Sequence, residues 1–280
     1  MGVVSTGDGG GTEINIPEYY DNLASDYDTR FVNPQLDYMR TVEDSVLDET
    51  LKGVGGIVLD VGCGTGKQTL DLAEKGFDVI GLDISSEMIR IAKKKSKDAG
   101  LSIPFLIASA DSLPFKDGCI SILISMFGAY SHIPAYDRAF HEISRVLADG
   151  GGSGDGNSSS DCGGRAVFTI VNRWNLNWWL RHTLVGNRDW IVHALKHRDF
   201  VSDGLWTYYF GRRELIKKMR NIGFRKTRVG SVMIFLYPHL HRIDRKPSLY
   251  LRVFGRIENM VRWAYPWSGI GYYLIAVVTK

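Results

Sequence analysis

Three segments of the chain carry residues that together could hold a nucleoside. In Val58-Leu-Asp-Val-Gly-Cys-Gly-Thr-Gly66 an apolar strand runs directly into three alternate glycines and then into a helix. Glycine is favoured at such a bend because it tolerates tight-turn backbone angles and lets a ligand approach the main chain closely. N–H groups at the start of the following helix can receive the anionic end of a ligand. Asp60, Gly62, Cys63, Gly64, Thr65 and Gly66 are therefore the first candidate binding residues. Asp83 ends the next strand, where a carboxylate can accept hydrogen bonds from both hydroxyls of a ribose. Its alternative role is to cap the helix that follows, although Ser85 and Ser86 are also available for that. After the third strand, Asp111 can bond an exocyclic amine, while Ala110 and Ser112 offer backbone contacts to a purine; judged locally, Asp111 is explained as well by turn formation. A dinucleotide fingerprint would place its third glycine where this chain has Lys67, with Gly66 one residue early, which weighs against a diphosphate.

Those residues need a scaffold that brings successive strand ends to one edge. Between Gly56 and Asn172, apolar runs of strand length alternate with segments of helical spacing, the pattern of an α/β doubly wound, mostly parallel sheet. Strands are expected over 57–61, 79–82, 105–108, 120–126 and 166–171. Ser85 or Ser86 can cap a helix running to about Lys97, with Gly100 as its terminator. Phe140, Ile143 and Leu147 recur at three- and four-residue steps and place one apolar stripe on another helix. The Gly/Ser-rich stretch 149–164 cannot bury a core and reads as a mobile loop. Beyond it, 174–198 reads as one or two aromatic helices broken near Gly186-Asn187, a candidate lid. A helix over 212–221, ended by Gly223, and two strands around 232–236 and 272–279 then close the sheet. The organisation expected is a disordered tail (1–15), an N-terminal helical cap (16–50), a cofactor-binding core (51–172), a helical lid (173–210) and completion of the core sheet (211–280).

Composition agrees with one large domain. At 280 residues, 44% hydrophobic and 23% charged, the chain can bury a core without covalent staples. Cys63, Cys119 and Cys162 have neither paired nor metal-ligand spacing, so a reducing compartment and no metal are expected. The start, Met1 to Thr12, is Gly-rich and lacks the basic and apolar regions of a signal peptide. With no apolar run near the roughly 20 residues of a membrane span, a cytoplasmic protein with at most peripheral membrane contact is expected. The charge is uneven, because from Arg165 onward 21 Lys/Arg face 6 Asp/Glu, a balance of +15, and all seven tryptophans lie there too. That asymmetry suits a C-terminal part that handles something anionic and partly apolar; a solvated basic surface over an ordinary aromatic core is the plainer alternative.

The motifs in their order, Leu59-Asp-Val-Gly-Cys-Gly-Thr-Gly66, Gly81-Leu-Asp83-Ile-Ser, Ala110-Asp111-Ser-Leu-Pro-Phe and His141-Glu-Ile-Ser-Arg-Val-Leu147, resemble the class I methyltransferases, especially the branch containing ubiquinone and menaquinone biosynthesis enzymes. The likeness runs from about Tyr19 to Val171. It implies a seven-stranded Rossmann-like sheet, S-adenosylmethionine as cofactor and S-adenosylhomocysteine as its product. Carried over residue by residue, it puts Gly62, Gly64 and Gly66 at the methionine end of the cofactor, Asp83 at the ribose, and Ala110, Asp111 and Ser112 at the adenine. It also puts Ile84 and Met88 against the adenine ring, and Ser125, Met126 and Phe127 beside the transferred methyl. Tyr19 to Asp28 looks like the family's opening helix, which folds over the cofactor and makes Tyr20 and Tyr27 lid contacts, with plain aromatic packing as the alternative.

Methyl transfer to an acceptor that loses a proton needs a base. His132, Tyr130 and Tyr20 are the local candidates and His182 a lid candidate, with a structural role the default for each. The acceptor expected is a small-molecule or lipid-like metabolite, anionic and aromatic in one reading, with Trp178, Trp179, Arg181 and Arg188 in its pocket or on a rim facing an anionic membrane. Two rivals are an RNA methyltransferase, for which no nucleic-acid module is recognised, and a protein that binds the cofactor without turnover.

Overall fold

The protein is described from a computed structural model covering residues 15–149, 163–196, 198–202, 205–235 and 249–280. The tail and most of the Gly/Ser-rich stretch lie outside the described residues. The chain opens with α1 (Ile16–Leu23), α2 (Tyr27–Arg30) and α3 (Pro34–Leu51). Asn15 and Asn33 cap α1 and α3 by accepting from the N–H groups of Glu18 and Leu36, with proline in each first turn.

β1 (Ile57–Val61), α4 (Lys67–Glu74), β2 (Asp78–Asp83), α5 (Ser86–Asp98), β3 (Phe105–Ile107), β4 (Ile122–Ser125), α6 (Tyr136–Val146) and β5 (Arg165–Val171) follow in alternation. Ser85 caps α5, its hydroxyl accepting from Met88 N–H at 3.1 Å. After β5 come α7 (Leu176–Leu184), α8 (Arg188–Lys196), the hairpin β6 (Asp199–Ser202) and β7 (Leu205–Tyr208), α9 (Arg212–Asn221), β8 (Lys226–Val232), α10 (Leu249–Val261) and β9 (Tyr273–Thr279).

Seven strands form one sheet in the order β3-β2-β1-β4-β5-β9-β8. Every pairing from β3 to β5 is parallel, and β9 runs antiparallel to both β5 and β8. This is the expected doubly wound, mostly parallel sheet, and β9 is its reversed strand. Because the connections diverge to either side of β1 and β4, a crevice opens at the C-terminal ends of those two strands.

The sheet buries both faces. Phe140 and Ile143 of α6, Leu215 and Met219 of α9, and Phe168 of β5 fill one side. Met39, Val42 and Val46 of α3 fill the other against Val58, Ile122 and Val167. The reading of 232–236 as a closing strand is corrected: β8 lies earlier, at Lys226–Val232. As an edge strand it can expose Lys226 and Arg228, so it never shows a continuous apolar run. The apolar run instead leaves the sheet at Met233, whose φ of 61° breaks the strand and whose N–H donates to the buried Glu258 of α10 at 2.6 Å.

Phe140 is buried and stacks on Tyr130 at 5.6 Å between centroids while touching Phe168 and Phe210. Phe140→Ala is expected to cost about 3–5 kcal/mol in urea unfolding; a midpoint unmoved from wild type would show that this aromatic cluster does not hold α6 to the sheet.

Candidate active site

The crevice is a cavity of about 1040 Å³ whose wall joins the ends of β1, β2 and β4 to the N-terminal helices. Gly62 and Gly64 contribute main chain at φ of 75° and 54°. A Cβ on Gly62 would lie 2.7 Å from the Ala129 Cβ, so any larger residue would force the turn apart. Asp83 ties this turn to the next element: its Oδ2 accepts from Gly64 N–H at 2.8 Å and its Oδ1 from Ser85 N–H at 2.9 Å. Burial pushes the Asp83 carboxyl up from its ordinary range, against those backbone donors. A carboxylate has about four acceptor sites, so acceptor capacity remains at the cavity that Asp83 lines. Asp83 thus both braces the start of α5 and presents acceptors to a ligand.

Two carboxylates from the N-terminal helices clasp the same rim. Asp21 of α1 accepts from the Ser85 hydroxyl at 2.6 Å and from Glu87 N–H at 3.0 Å. These bonds, led by the Ser85 hydroxyl, hold its carboxyl below the usual range. Asp28 of α2 accepts from the Thr65 hydroxyl at 2.7 Å and pairs with Lys95. Tyr20 and Tyr27, each immediately before one of these acids, line the cavity.

The turn after β4 is held from α3. Glu43 is buried and accepts from Phe127 N–H at 3.0 Å and from the Thr169 hydroxyl at 2.8 Å. Thr169 in turn accepts from Gly128 N–H at 3.0 Å. Phe127 sits at φ 60°, a left-handed conformation uncommon outside glycine, and this network offsets its cost.

Away from the glycines the cavity becomes aromatic. Trp178 lies 5.3 Å from Tyr209 and 5.8 Å from Tyr272 between ring centroids, and all three line the wall with Tyr273. His132, also in the wall, has Nδ1 at 3.1 Å from the Trp206 carbonyl oxygen and 3.1 Å from the Thr207 hydroxyl. A carbonyl can only accept, so the tautomer that satisfies the Trp206 contact protonates Nδ1 and leaves Nε2 with a lone pair. Burial pushes the imidazole pKa down, which keeps the ring neutral.

The sequence candidates divide by where they point. Tyr20, Tyr27, Gly62, Gly64, Asp83, Ile84, Met88, Ala110, Asp111, Met126, Phe127, Tyr130, His132 and Trp178 meet at the cavity. Asp60 instead accepts from the Thr69 hydroxyl at 2.6 Å beneath the turn. Cys63 packs against Ile89, Ala92 and Phe105, and the Thr65 hydroxyl is taken by Asp28. Gly66 faces Ala92, and Ser112 and Ser125 stand outside the cavity wall, the Ser125 hydroxyl buried without a partner. Tyr130 is wholly buried on Phe140, and burial drives its phenol pKa up, so it stays protonated. Trp179, Arg181, His182 and Arg188 lie outside the wall as well. Asp21, Asp28 and Glu43 were not singled out from sequence; acids on amphipathic helices look like solvated faces until the tertiary contact is known.

Fold and site together define an enzyme of the α/β class that holds a nucleoside-bearing cofactor at the switch point of a doubly wound sheet. Residues 58–151 match the family model described as a methyltransferase domain. An uncharacterized protein of Methanocaldococcus jannaschii is 37% identical over 220 residues, covering 76% of this chain and 77% of that protein. A demethylmenaquinone methyltransferase of Lactococcus lactis is 35% identical over 147 residues, 50% of this chain and 56% of that enzyme, so the chain spans about half the length of that relative. The crystal structure of an S-adenosylmethionine-dependent methyltransferase from Thermotoga maritima superposes with a TM-score of 0.55 at 20% identity, over 94% of this chain and 99% of that one. The chain belongs to the class I S-adenosylmethionine-dependent methyltransferases. The close glycine turn, the braced Asp83 and the adjoining Asp111 suit such a cofactor.

Burial raises the Glu43 carboxyl from 4.5 to about 7, ahead of the hydrogen bonds that favour its charge. A raised acid binds its proton more tightly in the folded state, so its contribution is full below the unfolded value and is lost as pH rises through about 7. Asp60, also raised to about 7, acts in the same direction. Glu43→Gln, whose amide oxygen can accept the same two hydrogen bonds, is expected to flatten the fall in Tm between about pH 5 and pH 8. An identical slope in wild type and variant would show Glu43 ionised throughout.

Proposed function

We propose that the chain moves a methyl group from S-adenosylmethionine to a small aromatic or amphiphilic, lipid-like acceptor held at the aromatic end of the cavity. One observation carries this reading: the glycine and Asp83 end and the Trp178, Tyr209 and Tyr272 end are walls of a single cavity. In the cofactor half, Gly62 and Gly64 receive the methionine portion, Asp83 the ribose hydroxyls, and Ala110 with Asp111 the adenine. Ile84 and Met88 pack the base, and Met126 and Phe127 border the region between the halves. Asp111 is held in place by Arg138 at 2.7 Å and by the Ser109 hydroxyl.

The bound cofactor supplies an activated methyl on a sulfonium. The chain orients the acceptor and excludes water, and orientation alone can supply about 7 to 11 kcal/mol of a barrier. Where the acceptor must lose a proton, the neutral His132 accepts it at Nε2, and Tyr20, 6.5 Å away between ring centroids, borders the same space. Arg181 and Arg188 stand outside the wall, so acceptor recognition is assigned to aromatic contacts rather than to an anionic group. The relatives named as demethylmenaquinone methyltransferases support an acceptor of quinone type.

Asp83→Ala is expected to weaken S-adenosylhomocysteine binding by roughly tenfold or more in calorimetry. Undiminished heat would place the ribose elsewhere. Incubation with methyl-labelled cofactor and a metabolite and lipid extract should label an aromatic or amphiphilic product. His132→Gln should lower kcat by about 10²-fold or more with little change in KM. Label appearing only in RNA would overturn the acceptor assignment, and an unchanged kcat would remove His132 as the base.

A further inference from the structure

The α7–α8 hairpin has two unlike faces. Its inner face is aromatic: Trp178 and Trp179 pack around the buried Trp190, and His182 stacks on Trp190 at 3.9 Å between centroids. Its outer face is aliphatic and open to solvent. Leu180 and Leu184 stand one turn apart on α7, Val185 follows at the bend, and Val192 and Leu195 continue along α8. At the tip, Leu184 is 84% exposed and Val185 69% exposed. Neighbouring large aliphatic side chains held this far into water mark a surface that meets something apolar.

Charge narrows the partner. Arg181 and Arg188 are exposed on either side of the tip, and residues 173–196 contain four Lys/Arg against the single acid Asp189. A second copy seated symmetrically on this face would bring like-charged arginines together, which opposes such a dimer. An anionic bilayer answers both features, since leucine and valine can enter the acyl boundary while guanidinium groups stay at the phosphates. The helix that carries the tip also carries Trp178 in the cavity wall.

We propose that the tip formed by Leu184 and Val185, flanked by Arg181 and Arg188, docks on an anionic lipid bilayer. Docking brings the aromatic end of the cavity to a surface where amphiphilic acceptors reside, a purpose that rests on the proposed function; the docking itself does not.

The full chain, without cofactor or acceptor, is sedimented with sucrose-loaded phosphatidylcholine vesicles at low salt, with and without phosphatidylglycerol. Binding is expected with phosphatidylglycerol and to be roughly tenfold weaker without it. The Leu184→Asp/Val185→Asp double variant should bind the anionic vesicles about tenfold less or weaker still. Arg181→Gln/Arg188→Gln should lose the preference for phosphatidylglycerol. Calorimetry with S-adenosylhomocysteine should give wild-type affinity for the Leu184→Asp/Val185→Asp variant, which shows that it is folded and separates docking from methyl transfer. Absence of wild-type sedimentation, equal sedimentation of that variant, or a wild-type dimer that it converts to monomer would each overturn the proposal.

Discussion

The Asp83 carboxylate is the constraint on which the site depends. It ends β2 in the parallel part of the sheet, accepts a backbone N–H from the glycine turn after β1 and another from the start of α5, and is buried. Burying a carboxylate is costly unless donors surround it, and here the donors are main chain. The two loops are therefore held to each other through one side chain rather than packed separately. A ligand that uses the remaining lone pairs meets a turn already fixed in shape, so little ordering cost is left to binding.

The same device recurs around the cavity. Asp21 reaches the start of α5, Asp28 reaches Thr65 in the glycine turn, and Glu43 reaches the turn after β4. In each case an acid on a helix N-terminal to the sheet accepts a donor from a sheet loop. The consequence is directional: α1 to α3 cannot move away from the cavity without exposing N–H and hydroxyl donors that have no other partner in these contacts. Asp21 and Asp28 differ from Glu43 in exposure, since Asp28 also pairs with a surface lysine while Glu43 lies in the core. The Asp21 and Asp28 contacts are thus the more solvent-accessible ones, and they hold the helices that carry Tyr20 and Tyr27.

How far the sequence reveals this depends on how local each signal is. β1, the glycine turn and β2 are read correctly because strand, turn and helix chemistry follow one another within a few residues. The bounds of α9 and the break at Gly186-Asn187 are equally visible, since helix period and glycine act over one or two turns. The bounds of β8 are not legible in the sequence, because an edge strand carries charged residues and the stronger apolar run beside it packs beyond the sheet. α10 and the β6–β7 hairpin gave no comparable signal. Among site residues, Asp60, Thr65 and Cys63 share the motif with Gly62 and Gly64 but spend their side chains on Thr69, Asp28 and the core. Spacing identifies the turn; it does not say which of its side chains face inward.

The two ends of the cavity have different structural origins. The glycine-lined half is made by loops at the ends of β1, β2, β3 and β4, set side by side by sheet register and braced by acids of α1 to α3. The aromatic half is made by the insertion between β5 and α9 and by the approach to β9. His132 shows how the halves meet: it stands in the loop after β4, yet its Nδ1 contacts the Trp206 carbonyl and Thr207 hydroxyl of the β6–β7 hairpin. Replacing the insertion would leave the glycine turn and Asp83 intact while changing both the aromatic wall and the protonation geometry of His132. The aromatic wall and the His132 contact are therefore coupled to one segment, whereas the glycine turn and Asp83 belong to the sheet.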